Sequence, residues 1–125
     1  MTNPFLDQKN FMEAGDQTTD EYDIKQKYLY ESLIIEEYEE FNNAVDTEPL
    51  ANQIKEACDM IVVLIGWLYS VGVKPWYMWE LVHKNNMLKV ANPPVKNADG
   101  KITKSPEAIK GKIIMMHDIN EEING

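Results

Sequence analysis

The run Glu36-Glu37-Tyr38-Glu39-Glu40 puts four carboxylates in five residues, and between Glu31 and Glu48 there are seven acids and no basic residue. Glu36 and Glu40 stand at i and i+4, where like charges on a helix repel; a face shaped for stability would intersperse lysines. Glu37 and Glu40 are three apart, so on a helix their Cβ atoms lie about 5–6 Å from one another on one face. Leu33 and Ala44 share that face, which therefore points partly inward. Glu56 and Asp59 repeat the spacing among Ile54, Cys58 and Val62. Carboxylates turned toward a core need a compensating cation. If the two segments are helices packed antiparallel, Glu37, Glu40, Glu56 and Asp59 converge. An all-oxygen ligand set of that kind suits a hard cation, Mg²⁺ or Mn²⁺.

Competing chemistries lack their residues. Glu80-Leu81-Val82-His83 is the Glu-x-x-His of a di-iron carboxylate bundle, but Ile114 stands three residues before the other histidine, His117, so the second motif is missing. There is no G-x-x-x-x-G-K-[ST] phosphate loop, since Asp99-Gly100-Lys101 lacks the upstream glycine, and no G-x-S-x-G nucleophile elbow. Cys58, the only cysteine, lies in an apolar segment and reads as a packing residue; with no intrachain disulfide, the chain fits a reducing compartment.

The charge is unevenly spread. Residues 1–59 hold fifteen acids and four lysines, residues 74–112 eight lysines and three acids, and the net is −9. Metal binding by the first part and phosphate binding by the second would use that division. All twelve basic residues are lysine, and a net-acidic chain without arginine is poorly suited to duplex nucleic acid. The start, MTNPFLDQKN, has no basic region followed by an apolar run, and Met60–Val73 is shorter than the roughly 20 residues a bilayer span needs. A cytoplasmic protein without a membrane segment is the expectation.

These residues must be positioned by helices. Phe5 to Ala14 reads as a short first helix stopped by Gly15. Thr18, Thr19 and Asp20 offer N-caps for a longer helix over about 21–45, whose apolar residues recur at three- and four-residue steps. Asp46-Thr47-Glu48-Pro49 breaks it and starts another over about 50–71, amphipathic at first and then apolar on nearly every side, so that its second half should be buried. Lys74-Pro75 opens a helix to about Lys89, stopped by Asn92-Pro93-Pro94. Val95 to Lys104 reads as a loop or hairpin turning at Asp99-Gly100, and Ser105-Pro106 caps a weaker final helix interrupted by Gly111. The expected fold is one all-α domain over residues 1–125, an antiparallel helical bundle. Trp67, Tyr69, Trp76 and Trp79 should mainly pack. A core this small gains from self-association.

Glu36-Glu37-x-x-Glu40 followed by Glu56-x-x-Asp59 resembles the EExxE…ExxD signature of the MazG-type all-α nucleoside-triphosphate pyrophosphohydrolases. Phe11-Met12-Glu13-Ala14-Gly15-Asp16-Gln17, His83-Lys84-Asn85-Asn86-Met87-Leu88-Lys89 and Asp99-Gly100-Lys101-Ile102-Thr103-Lys104 resemble segments of its phosphoribosyl-ATP pyrophosphohydrolase-like branch. Together they span about residues 5–107; Phe41 stands where a leucine is common, and 108–125 has no counterpart. The resemblance implies a Mg²⁺-dependent hydrolase that cuts a nucleotide between its α- and β-phosphates and works as a homodimer or homotetramer. It maps metal ligation onto Glu37, Glu40, Glu56 and Asp59. Glu36 would support the ligands or activate water, a role Glu37 could also take, and Asn86, Lys89, Lys101 and Lys104 would hold phosphates. Phosphoribosyl-ATP is the alternative substrate. A non-catalytic helical module binding nucleotide or metal is the alternative of a different class.

Overall fold

The computed structural model of the chain describes residues 1–91 and 93–125. These form five helices, α1 (Pro4–Ala14), α2 (Ile24–Thr47), α3 (Leu50–Ser70), α4 (Pro75–Lys89) and α5 (Pro106–Asn124), and no named strand, so the fold is all-α. They divide into two compact units, Met1–Pro75 and Trp76–Gly125.

In the first unit α2 and α3 pack against each other along their length, with α1 against α3. Only Glu48 and Pro49 separate α2 from α3, and so short a connection makes an antiparallel hairpin. The core is Met12, Tyr30, Val63, Ile65 and Tyr69, with Phe5, Leu33, Ile34 and Trp67 around it. Each such side chain contributes about 1.5–3 kcal/mol by leaving water.

Asn3 caps α1, accepting from the Phe5 and Leu6 amides. Helix α2 begins at Ile24, later than Thr18, Thr19 or Asp20 would start it, and its cap is Asp23, which accepts from the Gln26 amide at 3.0 Å. The reason is that the preceding loop has bonds of its own. Buried Gln26 accepts from the Thr18 amide and donates to the Thr18 carbonyl and the Ser70 hydroxyl. The Asp23 amide donates to the Ser70 carbonyl, and Tyr22 bridges Val71. That strap needs Gly72, at φ 82°, where a Cβ would press on the Tyr22 amide nitrogen.

The second half of α3 is less buried than its apolar composition implied. Ile61, Val62 and Leu64 remain exposed, because α1 and α2 cover only one side of the helix. Trp76 and Trp79 on α4 are likewise exposed and do not form a core.

In the second unit α4 stops at Lys89; Asn92 of the expected Asn-Pro-Pro stop lies outside the described residues. The 95–103 segment is a tight hairpin-like loop. Lys96 bridges Ile102, the Thr103 amide donates to the Val95 carbonyl, and Gly100 takes φ 84°. Ser105 caps α5 by accepting from the Ala108 amide and donates its hydroxyl to the Leu88 carbonyl. Gly111 does not interrupt α5, which runs unbroken to Asn124.

Candidate active site

The α2–α3 hairpin brings Glu37, Glu56 and Asp59 together: one carboxylate oxygen from each lies within 4.8 Å of the others. The antiparallel packing produces this, since each helix supplies its acid from the side facing the other. Glu40, three residues beyond Glu37, is exposed and stands outside the triad. Glu36 is exposed beside it.

Two oxygens of this group, Glu37 Oε2 and Glu56 Oε2, are buried without a hydrogen-bond partner. A buried acceptor left unpaired costs roughly 1–3 kcal/mol, more when charged. Ionised carboxylates are acceptors only and satisfy one another only where one holds a proton. Burial pushes the Glu37 carboxyl above the usual carboxylate range, with repulsion from Glu40, Asp59 and Glu56 and a side-chain hydrogen bond with Glu40 adding to the rise. On the open side the Lys55 ammonium lies 2.8 Å from Asp59 Oδ2 and 3.5 Å from Glu56 Oε1. Asp59 first, and then Glu56, hold its pKa up. Lys55 leaves the two buried oxygens unsatisfied, and a hard cation fits them. Two oxygens on one Mg²⁺ at about 2.1 Å lie at most about 4.2 Å apart, so the spread requires little adjustment.

Lys55 was legible in the sequence as a basic residue four before Asp59, the spacing of a helical ion pair. Beside the triad, α1 and α3 enclose a cleft of about 550 Å³. Its lining is mostly apolar and includes Phe11, Ile61, Val62 and Ile65, with Asp59 itself at its wall. Cys58 lines it too and is exposed, not packed.

In the second unit Asn86, Lys89 and Lys104 line one cleft of about 200 Å³, to which Lys112 of α5 also contributes. Lys101 is not among its lining residues. It sits at the hairpin turn, where its amide donates to Asn97 Oδ1.

Residues 8–86 match the phosphoribosyl-ATP pyrophosphohydrolase family. The chain belongs to that family. The matched segment runs from α1 into α4 and contains the whole carboxylate group. The protein is thus a pyrophosphohydrolase of the MazG-like superfamily, a hydrolase acting on phosphoric anhydride bonds. Such enzymes are typically metal-dependent, and the acidic cluster accords with that. No curated protein and no solved structure matches the chain. Among the described residues no helix is long and apolar enough to cross a membrane.

Proposed function

We propose that the protein hydrolyses nucleoside triphosphates between the α- and β-phosphates, with Mg²⁺ held by Glu37, Glu56 and Asp59 and with Glu40 turning in to join them. The observation that carries this reading is the pair of buried, unpartnered oxygens on Glu37 and Glu56. Mn²⁺ would serve the same oxygen ligands. When bound, the cation neutralises phosphate charge and lowers the pKa of an attacking water. The carboxylate of Glu36 or Glu37 takes that water's proton. The water oxygen bonds to the α-phosphorus, the bond from that phosphorus to the bridging oxygen breaks, and pyrophosphate leaves. Asn86, Lys89, Lys101 and Lys104 provide donors and positive charge for the phosphates, lysine acting as a point charge. The apolar cleft on α1 and α3 has the size of a small-ligand site, and Phe11, 67% exposed there, offers a ring for the base.

Phosphoribosyl-ATP is the second reading, favoured by the family match itself. We also propose that two copies associate through α3, where Leu50, Ile54, Ala57, Ile61, Leu64 and Leu68 recur at alternating four- and three-residue steps.

Pyrophosphate release should be measured over a panel of NTPs, dNTPs and phosphoribosyl-ATP, with Mg²⁺, Mn²⁺ or chelator. The expected result is metal-dependent release, strongest with an NTP or dNTP, and lost in Glu56→Gln and Asp59→Asn at unchanged helix content. Undiminished turnover in either variant would remove the carboxylates from the mechanism. No release from any substrate would leave a nucleotide-binding module.

A further inference from the structure

The small cleft of the second unit gathers three lysines in a chain whose net charge is −9. Lys89 comes from the end of α4, Lys104 from just before α5, and Lys112 from the second turn of α5. No carboxylate lines the cleft, and among the described residues none of the three ammonium groups has an acid within ion-pair distance. Three like charges gathered without a counter-ion repel, so the arrangement gains only when an anion enters.

Its assembly depends on Gly111. A Cβ there would overlap the Leu88 side chain and press on Asn85 Oδ1. Glycine in a helix interior costs about 1 kcal/mol relative to alanine, and close approach of α5 to α4 is what it allows here. The Ser105 hydroxyl, 2.8 Å from the Leu88 carbonyl, fixes the other end of the approach. Lys112 is thereby brought to the same cleft as Lys89 and Asn86. Helix α5 lies wholly beyond the family-matched segment.

A cleft of about 200 Å³ with three lysines and no carboxylate accommodates a compact inorganic phosphate chain. We infer that the α4–α5 cleft is a metal-independent pyrophosphate site in which Lys112 is a binding residue, retaining the free product of the proposed hydrolysis. Its place in catalysis rests on the proposed hydrolysis, whereas the binding itself does not.

Titration calorimetry of the full chain with inorganic pyrophosphate, in chelator and at low salt, separates the two. Wild type should bind. Lys112→Gln should bind about tenfold more weakly, as expected for loss of one charge-assisted contact. Lys112→Arg should stay within about threefold of wild type, because the charge is kept. Lys110→Gln, on the same helix but away from the cleft, should bind as wild type does, and so should Asp59→Asn. Absence of pyrophosphate binding by wild type, or equal affinity in Lys112→Gln, would overturn the inference even if hydrolysis is intact. Equal losses in Lys110→Gln and Lys112→Gln would also overturn it, by reducing the effect to general surface charge. If no substrate is hydrolysed while Lys112-dependent binding persists, the proposed function falls and this site stands.

Discussion

Glu37 holds a carboxyl whose proton is bound more tightly in the folded chain than its ordinary value of 4.5 allows, because burial and three neighbouring acids disfavour its charge. A group with a raised folded pKa contributes stability below its unfolded value and loses it as pH rises through the folded value. At neutral pH without metal, ionised Glu37 therefore works against folding. In chelator at pH 7, Glu37→Gln should melt higher than wild type, and the difference should vanish near pH 3, roughly, where both states are protonated. Saturating Mg²⁺ should invert the order. At about 100 times its Kd it adds about 2.7 kcal/mol to wild type, on the order of 10 °C, and much less to the variant. Melting curves that Mg²⁺ leaves unmoved, or moves equally in both proteins, would separate Glu37 from any cation. The shared face of Glu56 and Asp59 was readable in the sequence because it depends only on helix geometry, and their meeting with Glu37 followed once the short α2–α3 connection made the helices antiparallel. That Glu40 acts on Glu37 from outside the close group of three was not readable, since spacing fixes a shared face and leaves the rotamer open.

Helices α2 and α3 hold their acids in register only if their axes stay close, and Gly66 sets that distance. Its missing side chain is replaced by the ring of Tyr30, which is buried, and a Cβ at 66 would overlap that ring. The ring has little freedom to move, as its hydroxyl donates to Gln17 Oε1 at 2.6 Å and faces Gln8 Nε2 at 3.4 Å. Gly66→Ala would gain about 1 kcal/mol in helix propensity against about 1–3 kcal/mol for overpacking, with the ring bonds adding to the loss. The variant should be less stable by about 1–2 kcal/mol and should bind Mg²⁺ more weakly, because the wedge separates the helices bearing Glu37 and Glu56. A chemical denaturation midpoint at or above that of wild type would show that the ring yields. Helix existence and period were legible throughout, yet boundaries failed where tertiary bonds intervened. Gln26 and Ser70 hold the 15–23 loop out of α2, so Asp23 caps it. Gly111 looked like a break and is instead a contact, a distinction that needs the position of Leu88.

At the scale of the molecule, the uneven charge read from the sequence falls along the division into two units. Met1–Pro75 carries fifteen acids and five lysines, and Trp76–Gly125 six acids and seven lysines, the division that the proposed binding of cation by the first and phosphate by the second would use. What the sequence pattern left open was how much of α3 a single chain can cover. Its outer stripe leaves Ile61 51% and Leu64 46% exposed, with Leu50 and Ile54 continuing it toward the helix start. A row of large apolar side chains at alternating four- and three-residue steps is the seam of a helix pair, and a single chain gains nothing by keeping it in water. If two copies meet there, Leu64→Lys places two ammonium groups in the seam of a symmetric pair. With Leu64 46% exposed, each lost leucine removes about 0.7–1.4 kcal/mol of further burial, so the two together weaken association by about tenfold to a hundredfold, and the buried ammonium groups add to the loss. Light scattering after gel filtration should then find wild type as a dimer or larger at micromolar concentration and Leu64→Lys as a monomer. Because Leu64 is half exposed in the single chain, helix content should not change. A wild type that is monomeric at every concentration would take the second copy out of the picture. An Leu64→Lys variant that still pairs would move the seam to another face.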